Sequence, residues 1–218
     1  DLKNNEIIGG EIGLAALECH NNRLQNNSIS QSKNATYIQD SAGLKINNNS
    51  IQDAEFSLRL DNSSQNSVIG NLVEDCVIAL YFSAAEDNRV LENRFRGIND
   101  TAMQIAFSDN CEILENEVID SARGVILVES SANLLQANRF QNVTWSLYVE
   151  SQTKEGFNNS IDESNVVDLV PIAYLFDQSG MQIRDKQLAH LTMAYCKNMA
   201  VDNITLTSDA VFLFDSMN

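Results

Sequence analysis

The sequence predicts an all-β solenoid, in which one chain winds into about ten stacked coils of about 22 residues each. Three observations support this fold class: an asparagine that recurs about every 22 residues, alternating apolar segments between the asparagines, and the lack of a sustained 3.6-residue periodicity. A unit of this length cannot bury its own apolar side chains, so the coils must stack around a continuous core. We expect one domain over residues 1–218 that is a segment of a longer protein and lacks its caps.

The recurring asparagine lies in a motif of the form apolar-x-x-Asn-x-apolar, first seen from Leu2 to Ile7. Successive copies lie 21 to 23 residues apart as far as Asn159, and Asn203 follows 44 residues later, the length of two coils. A side-chain amide donates and accepts hydrogen bonds, so equivalent asparagines on stacked coils can bond to one another. Asparagine also tolerates the left-handed backbone of a tight corner. We therefore predict a structural ladder of Asn5, Asn27, Asn49, Asn71, Asn93, Asn116, Asn138, Asn159 and Asn203.

A second column of asparagines lies five residues before the first and contains Asn22, Asn66, Asn88, Asn133 and Asn198. Between the asparagine motifs run alternating apolar stretches typical of strands, such as the one from Phe56 to Leu60. A leucine-rich repeat is the competing interpretation, because the run from Leu44 to Ile51 matches its consensus. The rest of each unit looks like strand, which favours the all-β solenoid.

The asparagine-ladder repeat resembles the right-handed, single-stranded parallel β-helix. More narrowly, it is similar to NosD-like proteins within the carbohydrate-binding and sugar-hydrolase (CASH) repeat families. The segments from Pro171 to Tyr174 and from Ala194 to Leu206 are similar to runs in archaeal NosD-like surface proteins. The resemblance implies a parallel β-helix and an extracellular, cell-surface or periplasmic location. It does not fix the function, since relatives include polysaccharide lyases, uronate epimerases, copper-delivery proteins and surface modules.

Charge and composition exclude several classes of partner. Fourteen basic residues against 30 acidic ones give a net charge of −16, which argues against nucleic acid as a partner. No apolar run approaches the length of a membrane span. The four cysteines share no column of the repeat, so we expect buried free thiols.

Two groups of charged residues are candidate ligand contacts. Acidic residues often follow the main strand, and Asp61, Glu129, Glu150 and Asp177 could form an edge that binds Ca²⁺ or sugar. The other interpretation of this edge is a solvated polar corner. Arg94 and Arg139 each follow a ladder asparagine, and they could contact a polyanion, although the net charge opposes this.

Catalytic residues cannot be identified from the sequence, and no cofactor is predicted apart from the possible Ca²⁺. The two histidines, His20 and His190, lie about eight coils apart, so they are not expected to form one site. Soft ligands for copper cluster late in the chain: His190, Met193, Cys196 and Met199. Core packing is the favoured explanation for this group.

These observations favour a non-catalytic extracellular or cell-envelope module, a rigid scaffold that contacts carbohydrate or assembles with neighbouring surface-protein subunits. The first alternative is a polysaccharide lyase, epimerase or glycosidase of the β-helix class. The second is a NosD-like copper-delivery protein.

Overall fold

The computed structural model describes residues 1–216 and shows an all-β solenoid of about ten coils. All strand pairs in this part of the chain are parallel, with one exception described below. The described residues contain no α-helix, so the leucine-rich repeat interpretation is wrong. In chain order the elements are β1 (Leu2–Lys3), β2 (Glu6–Ile8), β3 (Ile12–Leu17), β4 (Arg23–Gln25), β5 (Ser28–Ser30), β6 (Asn34–Gln39), β7 (Lys45–Asn47), β8 (Ser50–Gln52), β9 (Phe56–Asp61), β10 (Ser67–Ile69), β11 (Leu72–Glu74), β12 (Ile78–Ser83), β13 (Arg89–Leu91), β14 (Arg94–Ala106), β15 (Glu112–Leu114), β16 (Glu117–Val128), β17 (Leu134–Gln136), β18 (Arg139–Glu150), a 3₁₀ helix (Glu155–Phe157), β19 (Ser160–Ile161), β20 (Val166–Val167), β21 (Val170–Phe176), β22 (Gln182–Arg184), β23 (Gln187–Leu188), β24 (His190–Ala194), β25 (Ala200–Asp202), β26 (Thr205–Leu206) and β27 (Val211–Phe214).

The first seven coils each contribute to three columns of parallel strands. The first column is β1-β4-β7-β10-β13-β15-β17-β19, and the second is β2-β5-β8-β11-β14-β16-β18-β20. The third column consists of the long strands β3, β6, β9 and β12, and it continues into the second halves of β14, β16 and β18. Most neighbours in a column are 22 residues apart, for example Val68 and Val90, which confirms the repeat length for this part of the chain.

Corners between the strands have the left-handed backbone that the asparagine pattern predicts. Asn4, Asn26 and Asn48 occupy equivalent corners with φ of 57°, 56° and 55°. Gly70 takes the next position with φ of 65°, where a Cβ would lie 2.6 Å from Oδ1 of Asn48. Short polar side chains and glycine therefore set where each coil turns.

The core is a stack of inward-facing apolar side chains with little variation from coil to coil. In the fourth coil Val68, Val73, Leu80 and Phe82 are all fully buried. A row of small residues runs beside them in the long-strand column, and at Gly124 an added Cβ would meet the Ser146 carbonyl oxygen and lie 2.6 Å from the Phe140 ring. This row must stay small because the facing column is filled with large side chains.

The predicted ladder is continuous from Asn5 to Asn138. At each step the amide group of one asparagine and its own backbone N–H both donate to Oδ1 of the asparagine one coil further on; for Asn71 and Asn93 both distances are 2.9 Å. Nδ2 of Asn71 also donates to the carbonyl oxygen of Ile46 at 2.8 Å. These bonds satisfy polar groups that would be costly to bury unpaired.

The prediction is wrong for two members of the ladder, Asn159 and Asn203. Asn165, and not Asn159, accepts the hydrogen bond from Nδ2 of Asn138, at 2.8 Å. The loop 151–158, which contains the 3₁₀ helix, lengthens this coil to 27 residues, and Asn159 joins the second ladder by accepting from Asn133. Asn203 is exposed and donates to Oδ1 of Asp185 at 2.6 Å, so it belongs to no buried ladder.

One coil is a residue longer than its neighbours without disturbing them. Asn93 and Asn116 are 23 residues apart, and the extra residue is absorbed by a shift of register between Ile98 and Thr101. Pairing resumes in the long-strand column directly after this bulge.

The chain changes direction after Val167. Strands β20 and β21 form an antiparallel hairpin with Asp168 and Leu169 at its tip, both at positive φ. From β21 onward the coils are shorter than predicted, since Gln182 pairs with Ala200, 18 residues later. These coils surround a second apolar cluster that includes Ile183, Leu188, Leu191, Met193 and Cys196. The prediction of one domain over residues 1–218 stays a prediction.

This C-terminal layer, β21 to β27, packs one face of its main sheet against the first part of the solenoid. In β24, Leu191 and Met193 belong to the second cluster, whereas Ala194 belongs to the first. His190 of the same strand is completely buried, and its Nδ1 lies 2.6 Å from Oδ1 of Asp209. Alternation along the strand therefore gives this sheet two buried faces.

A buried polar chain crosses the junction between the two parts. Oδ2 of Asp209 accepts hydrogen bonds from the backbone N–H of Ser146 at 2.8 Å and from its hydroxyl at 2.7 Å. Nε2 of His190 lies 2.6 Å from Oγ1 of Thr192. Burial alone would raise the pKa of Asp209, but the hydrogen bond and charge of His190 and the bonds from Ser146 outweigh it and hold the pKa below its usual value.

Candidate functional site

The outer face of the long-strand column presents rows of side chains in register. One row contains Tyr37, Arg59, Tyr81, Gln104, Ile126 and Tyr148, each paired with the next across adjacent strands. Their spacing is that of neighbouring strands, about 4.8 Å. Aromatic residues and an arginine that follow one another at this spacing form a flat surface with a positive charge near one end.

Arg59 lies at the centre of the first part of this row, which we call the Arg59 cluster (Tyr37, Phe56, Arg59, Asp61 and Tyr81). The guanidinium carbon is 5.5 Å from the ring centroids of Tyr37, Phe56 and Tyr81. Nη2 of Arg59 lies 2.8 Å from Oδ2 of Asp61, and Nε donates to the same oxygen at 2.9 Å. Three rings and one carboxylate therefore hold the guanidinium in a fixed orientation.

Two groups in the Arg59 cluster have unusual surroundings. Burial, and then the charge of Asp61, raise the pKa of Tyr37, whose hydroxyl donates to Oε1 of Gln39 at 2.8 Å. The phenol therefore keeps its proton at neutral pH. Oδ1 of Asp61 is buried and has no hydrogen-bond partner within the described residues. A buried carboxylate oxygen without a partner is costly, so this part of the cluster lowers stability.

The predicted polyanion contact is not an open basic surface. Nε of Arg94 lies 3.2 Å from Oε2 of Glu117, and Glu117 is also the register partner of Arg139. The acidic side chain thus stands between the two arginines on consecutive coils. Both arginines lie in the second strand column and not in the row of Arg59.

The predicted acidic edge is divided among local contacts. Oε1 and Oε2 of Glu129 accept hydrogen bonds from the backbone of Gln152 and the hydroxyl of Ser151. Asp177 forms an ion pair of 2.7 Å with Lys154, Asp61 pairs with Arg59, and Glu150 is exposed. Within residues 1–216, no group of three histidine, cysteine, aspartate or glutamate side chains could hold a metal ion. The four carboxylates therefore do not converge on one place, and binding of Ca²⁺ or sugar at this edge stays a prediction.

The histidine of the copper interpretation does not meet the three sulfur ligands. Met193, Cys196 and Met199 line one cleft at the C-terminal layer. His190 lies on the opposite side of β24, where Asp209 and Thr192 occupy both of its ring nitrogens. The combination of His190 with the sulfur ligands is therefore wrong, because alternation along β24 sends them to different faces.

The sequence interpretation missed the Arg59 cluster, apart from Asp61. A signal was present: Tyr37, Arg59 and Tyr81 are 22 residues apart, and each lies between two buried residues of its strand. The histidines do not contribute to this surface, since His20 is exposed beside a corner bridge to Ala42 and His190 is buried. The described residues also include no helix that is long and apolar enough to span a membrane.

A protein-family comparison assigns the fold to a known group. The family described as "right handed beta helix region" matches residues 1–140, more than half of the chain. The chain belongs to the right-handed β-helix family. A search of curated proteins finds no match.

Solved structures with the same fold include two polysaccharide enzymes. A mutant of the periplasmic alginate epimerase AlgG superposes with a TM-score of 0.59 at 12% identity, covering 94% of this chain and 49% of the epimerase. The alginate lyase from Paenibacillus sp. str. FPU-7 superposes with a TM-score of 0.58 at 10% identity, covering 96% of this chain and 77% of the lyase. The chain therefore spans about half the length of the epimerase. At these identities the likeness shows a shared β-helix fold.

Proposed function

We propose that this chain is the carbohydrate-binding β-helix of a polysaccharide-active enzyme, and that the polysaccharide lies across the Arg59 cluster. The observation that carries the proposal is the guanidinium of Arg59, held 5.5 Å from three ring centroids on the outer face of the solenoid. Aromatic rings offer flat apolar surface to the C–H faces of sugars, and a guanidinium binds hydroxyl or carboxylate oxygens in a defined direction. The solved β-helix enzymes that act on alginate support this choice of ligand class.

The reaction class that suits the cluster is proton transfer beside a uronate carboxylate, as in a lyase or an epimerase. Arg59 would bind the uronate carboxylate and stabilise the negative charge that develops on it in either reaction. Tyr37 keeps its proton at neutral pH and would contact a sugar hydroxyl beside Arg59. A polysaccharide of this kind lies outside the cytoplasm, which agrees with an extracellular, cell-surface or periplasmic location.

A non-catalytic glycan-binding module is the second candidate, and a specific contact favours it. Asp61 already engages Arg59 through two short contacts, so the guanidinium is partly neutralised before any ligand arrives. An arginine–aspartate pair beside aromatic rings can bind neutral hydroxyl groups without chemistry, because it offers both donors and acceptors. Membership of the NosD-like or CASH families stays a prediction, as does assembly with neighbouring subunits.

The experiment is a binding titration of alginate, polygalacturonate and a neutral β-glucan, with product analysis of the same mixtures. Arg59→Ala is the test variant, and Arg96→Ala is the matched control, because it removes the same charge from an exposed position in another column. We expect binding that Arg59→Ala weakens about tenfold or more and that Arg96→Ala leaves unchanged.

Unsaturated or epimerised products would identify the enzyme, and binding without products would identify the module. If no polysaccharide binds, or if Arg59→Ala binds as well as the natural chain, the proposed site is refuted.

A further inference from the structure

A second cleft lies on the same outer face, where the C-terminal layer meets the long strands. Its floor is formed by Arg123 and Ile126 of β16 and by Trp145 and Tyr148 of β18, and its wall is Phe212 of β27. The cleft has a volume of about 280 Å³. We call it the junction cleft.

The wall of the junction cleft is firmly held. The ring of Phe212 lies 5.5 Å from the rings of both Tyr148 and His190, and 6.2 Å from that of Trp145. His190 is tied to Asp209, which in turn binds Ser146 beside Trp145. The buried polar chain of the junction therefore fixes Phe212 over the floor, and the cleft needs both parts of the molecule.

The lining has the chemistry of a sugar-binding site. Trp145 is 45% exposed, a large apolar surface left open to solvent. At the rim, Nη2 of Arg123 lies 3.3 Å from Oδ1 of Asp100, with both side chains partly exposed. Aromatic walls with a few polar groups at the edge are typical of small-molecule sites, and the guanidinium adds affinity for a uronate carboxylate.

Register connects the junction cleft to the Arg59 cluster. Tyr81, Gln104, Ile126 and Tyr148 are successive partners along one row, so three strand spacings separate the two tyrosines. At about 4.8 Å per spacing the distance is about 14 Å. Gln104 lies between them with an amide that can bond hydroxyl groups.

We infer that the junction cleft is a second carbohydrate subsite, which receives the end of a uronate-containing chain whose inner sugars occupy the Arg59 cluster. The inference rests on the proposed function, and it adds the direction and minimum length of the ligand. The ring of Phe212 lies beside Tyr148 at the end of this row, so it closes the path there. A ligand that fills both subsites must span the 14 Å between them, whereas a disaccharide occupies only one.

The chain contains one tryptophan, and it lies in the junction cleft, which allows a direct test. Alginate oligosaccharides are titrated in parallel by calorimetry and by tryptophan emission, with the disaccharide and the octasaccharide as probes. The variants are Trp145→Phe, Trp145→Ala and Phe212→Ala, and Phe107→Ala is the matched control because its ring is 61% exposed outside the cleft. Circular dichroism establishes that each variant is folded.

We expect the octasaccharide to shift the Trp145 emission to shorter wavelength as the indole leaves water. Trp145→Ala and Phe212→Ala should weaken octasaccharide binding about threefold to tenfold, the effect of losing one aromatic contact. Trp145→Phe should keep most of the affinity, and Phe107→Ala should keep all of it.

The outcomes separate this inference from the proposed function. Octasaccharide binding that depends on Arg59 but leaves the Trp145 emission and the Trp145→Ala affinity unchanged overturns the second subsite alone. If the natural chain binds no oligosaccharide, the proposed function and the inference are both refuted. If Phe107→Ala lowers the octasaccharide affinity as much as Trp145→Ala does, a role specific to the junction cleft is also refuted.

Discussion

Replacement of Asn116 with alanine measures how much one rung of the ladder contributes to stability. The side chain is completely buried and makes five hydrogen bonds. Nδ2 donates to the carbonyl oxygens of Val90 and Leu114 and to Oδ1 of Asn138, at 2.9 to 3.0 Å. Oδ1 accepts from the backbone N–H and from Nδ2 of Asn93, at 2.9 and 3.0 Å.

The magnitude follows from which partners are left without a bond. The backbone N–H of Asn93 loses its one acceptor in the structure, and a buried unpaired donor costs about 2 kcal/mol. Among the other four partners, the carbonyl oxygens of Val90 and Leu114 and Oδ1 of Asn138 each lose one donor, and Nδ2 of Asn93 loses one of its acceptors, for about 0.5 kcal/mol each. We therefore expect Asn116→Ala to lower the free energy of unfolding by about 4 kcal/mol, a large share of the stability of a typical domain.

Asn203→Ala is the control, because the repeat spacing places Asn203 in the predicted ladder but the structure leaves it outside. Its side chain is exposed and makes one hydrogen bond, to Asp185, and its backbone is left-handed with φ of 49°. We expect a loss of about 1 kcal/mol or less, mostly from placing alanine in a left-handed conformation.

Equilibrium unfolding in urea is followed by circular dichroism and by the emission of Trp145, and agreement between the two probes establishes whether a single transition is measured. The reasoning fails if Asn116→Ala costs less than about 1.5 kcal/mol, or if Asn203→Ala costs as much as Asn116→Ala.

Three further predictions concern packing, pH and thiol reactivity. Gly124→Ala places a Cβ against the ring of Phe140 and should lower the free energy of unfolding by about 3 kcal/mol in the same urea assay; an unchanged midpoint would contradict the packing described. Asp209→Asn should cost about 2 kcal/mol at neutral pH, because it removes the charge facing His190. The pKa of Asp209 is held below its ordinary value of 3.8 in the folded protein, so the stability that its charge contributes is present above pH 3.8 and is lost as the pH falls through the lower folded-state pKa. Thermal melts should therefore show the difference in Tm between the variant and the natural chain narrowing as the pH is lowered below 3.8. Burial raises the pKa of the Cys111 thiol to about 12, so a thiol reagent should modify the partly exposed Cys19 first, and rapid modification of all four thiols in the folded protein would contradict the burial.

The repeat could be predicted from sequence because each of its parts has a local cause. Asparagine at the corners and alternation in the strands are visible in one coil, and the recurrence of Asn5, Asn27 and Asn49 shows how the coils stack. The prediction failed at Asn159 and Asn203 because it extended a spacing of about 22 residues into a part of the chain where the coil length changes. Neither the loop 151–158 nor the shorter coils of 18 to 20 residues that follow have a counterpart earlier in the chain.

One part of the candidate site could likewise be predicted from the sequence, and another part could not. The Arg59 cluster repeats at 22-residue spacing, so its side chains could have been placed on one face from the alternation alone. The meeting of Trp145 with Phe212 could not be predicted, because it depends on the antiparallel turn at Asp168 and Leu169. Likewise His190 meets Asp209 and Ser146 only after the C-terminal layer has folded back on the long strands.

The one-residue bulge between Ile98 and Thr101 has a consequence for how such a chain can change over generations. An extra residue within a paired strand would turn every following side chain to the other face, but here the neighbouring coils regain their alignment at the bulge. The loop 151–158 is a longer insertion of the same kind, after which the ladder continues through Asn165. Lineages of this protein can therefore gain or lose residues at corners while the strand rows keep their order. Insertions and deletions among related sequences should concentrate at the turns, and the side chains of the outer face that bears Arg59 should keep their order.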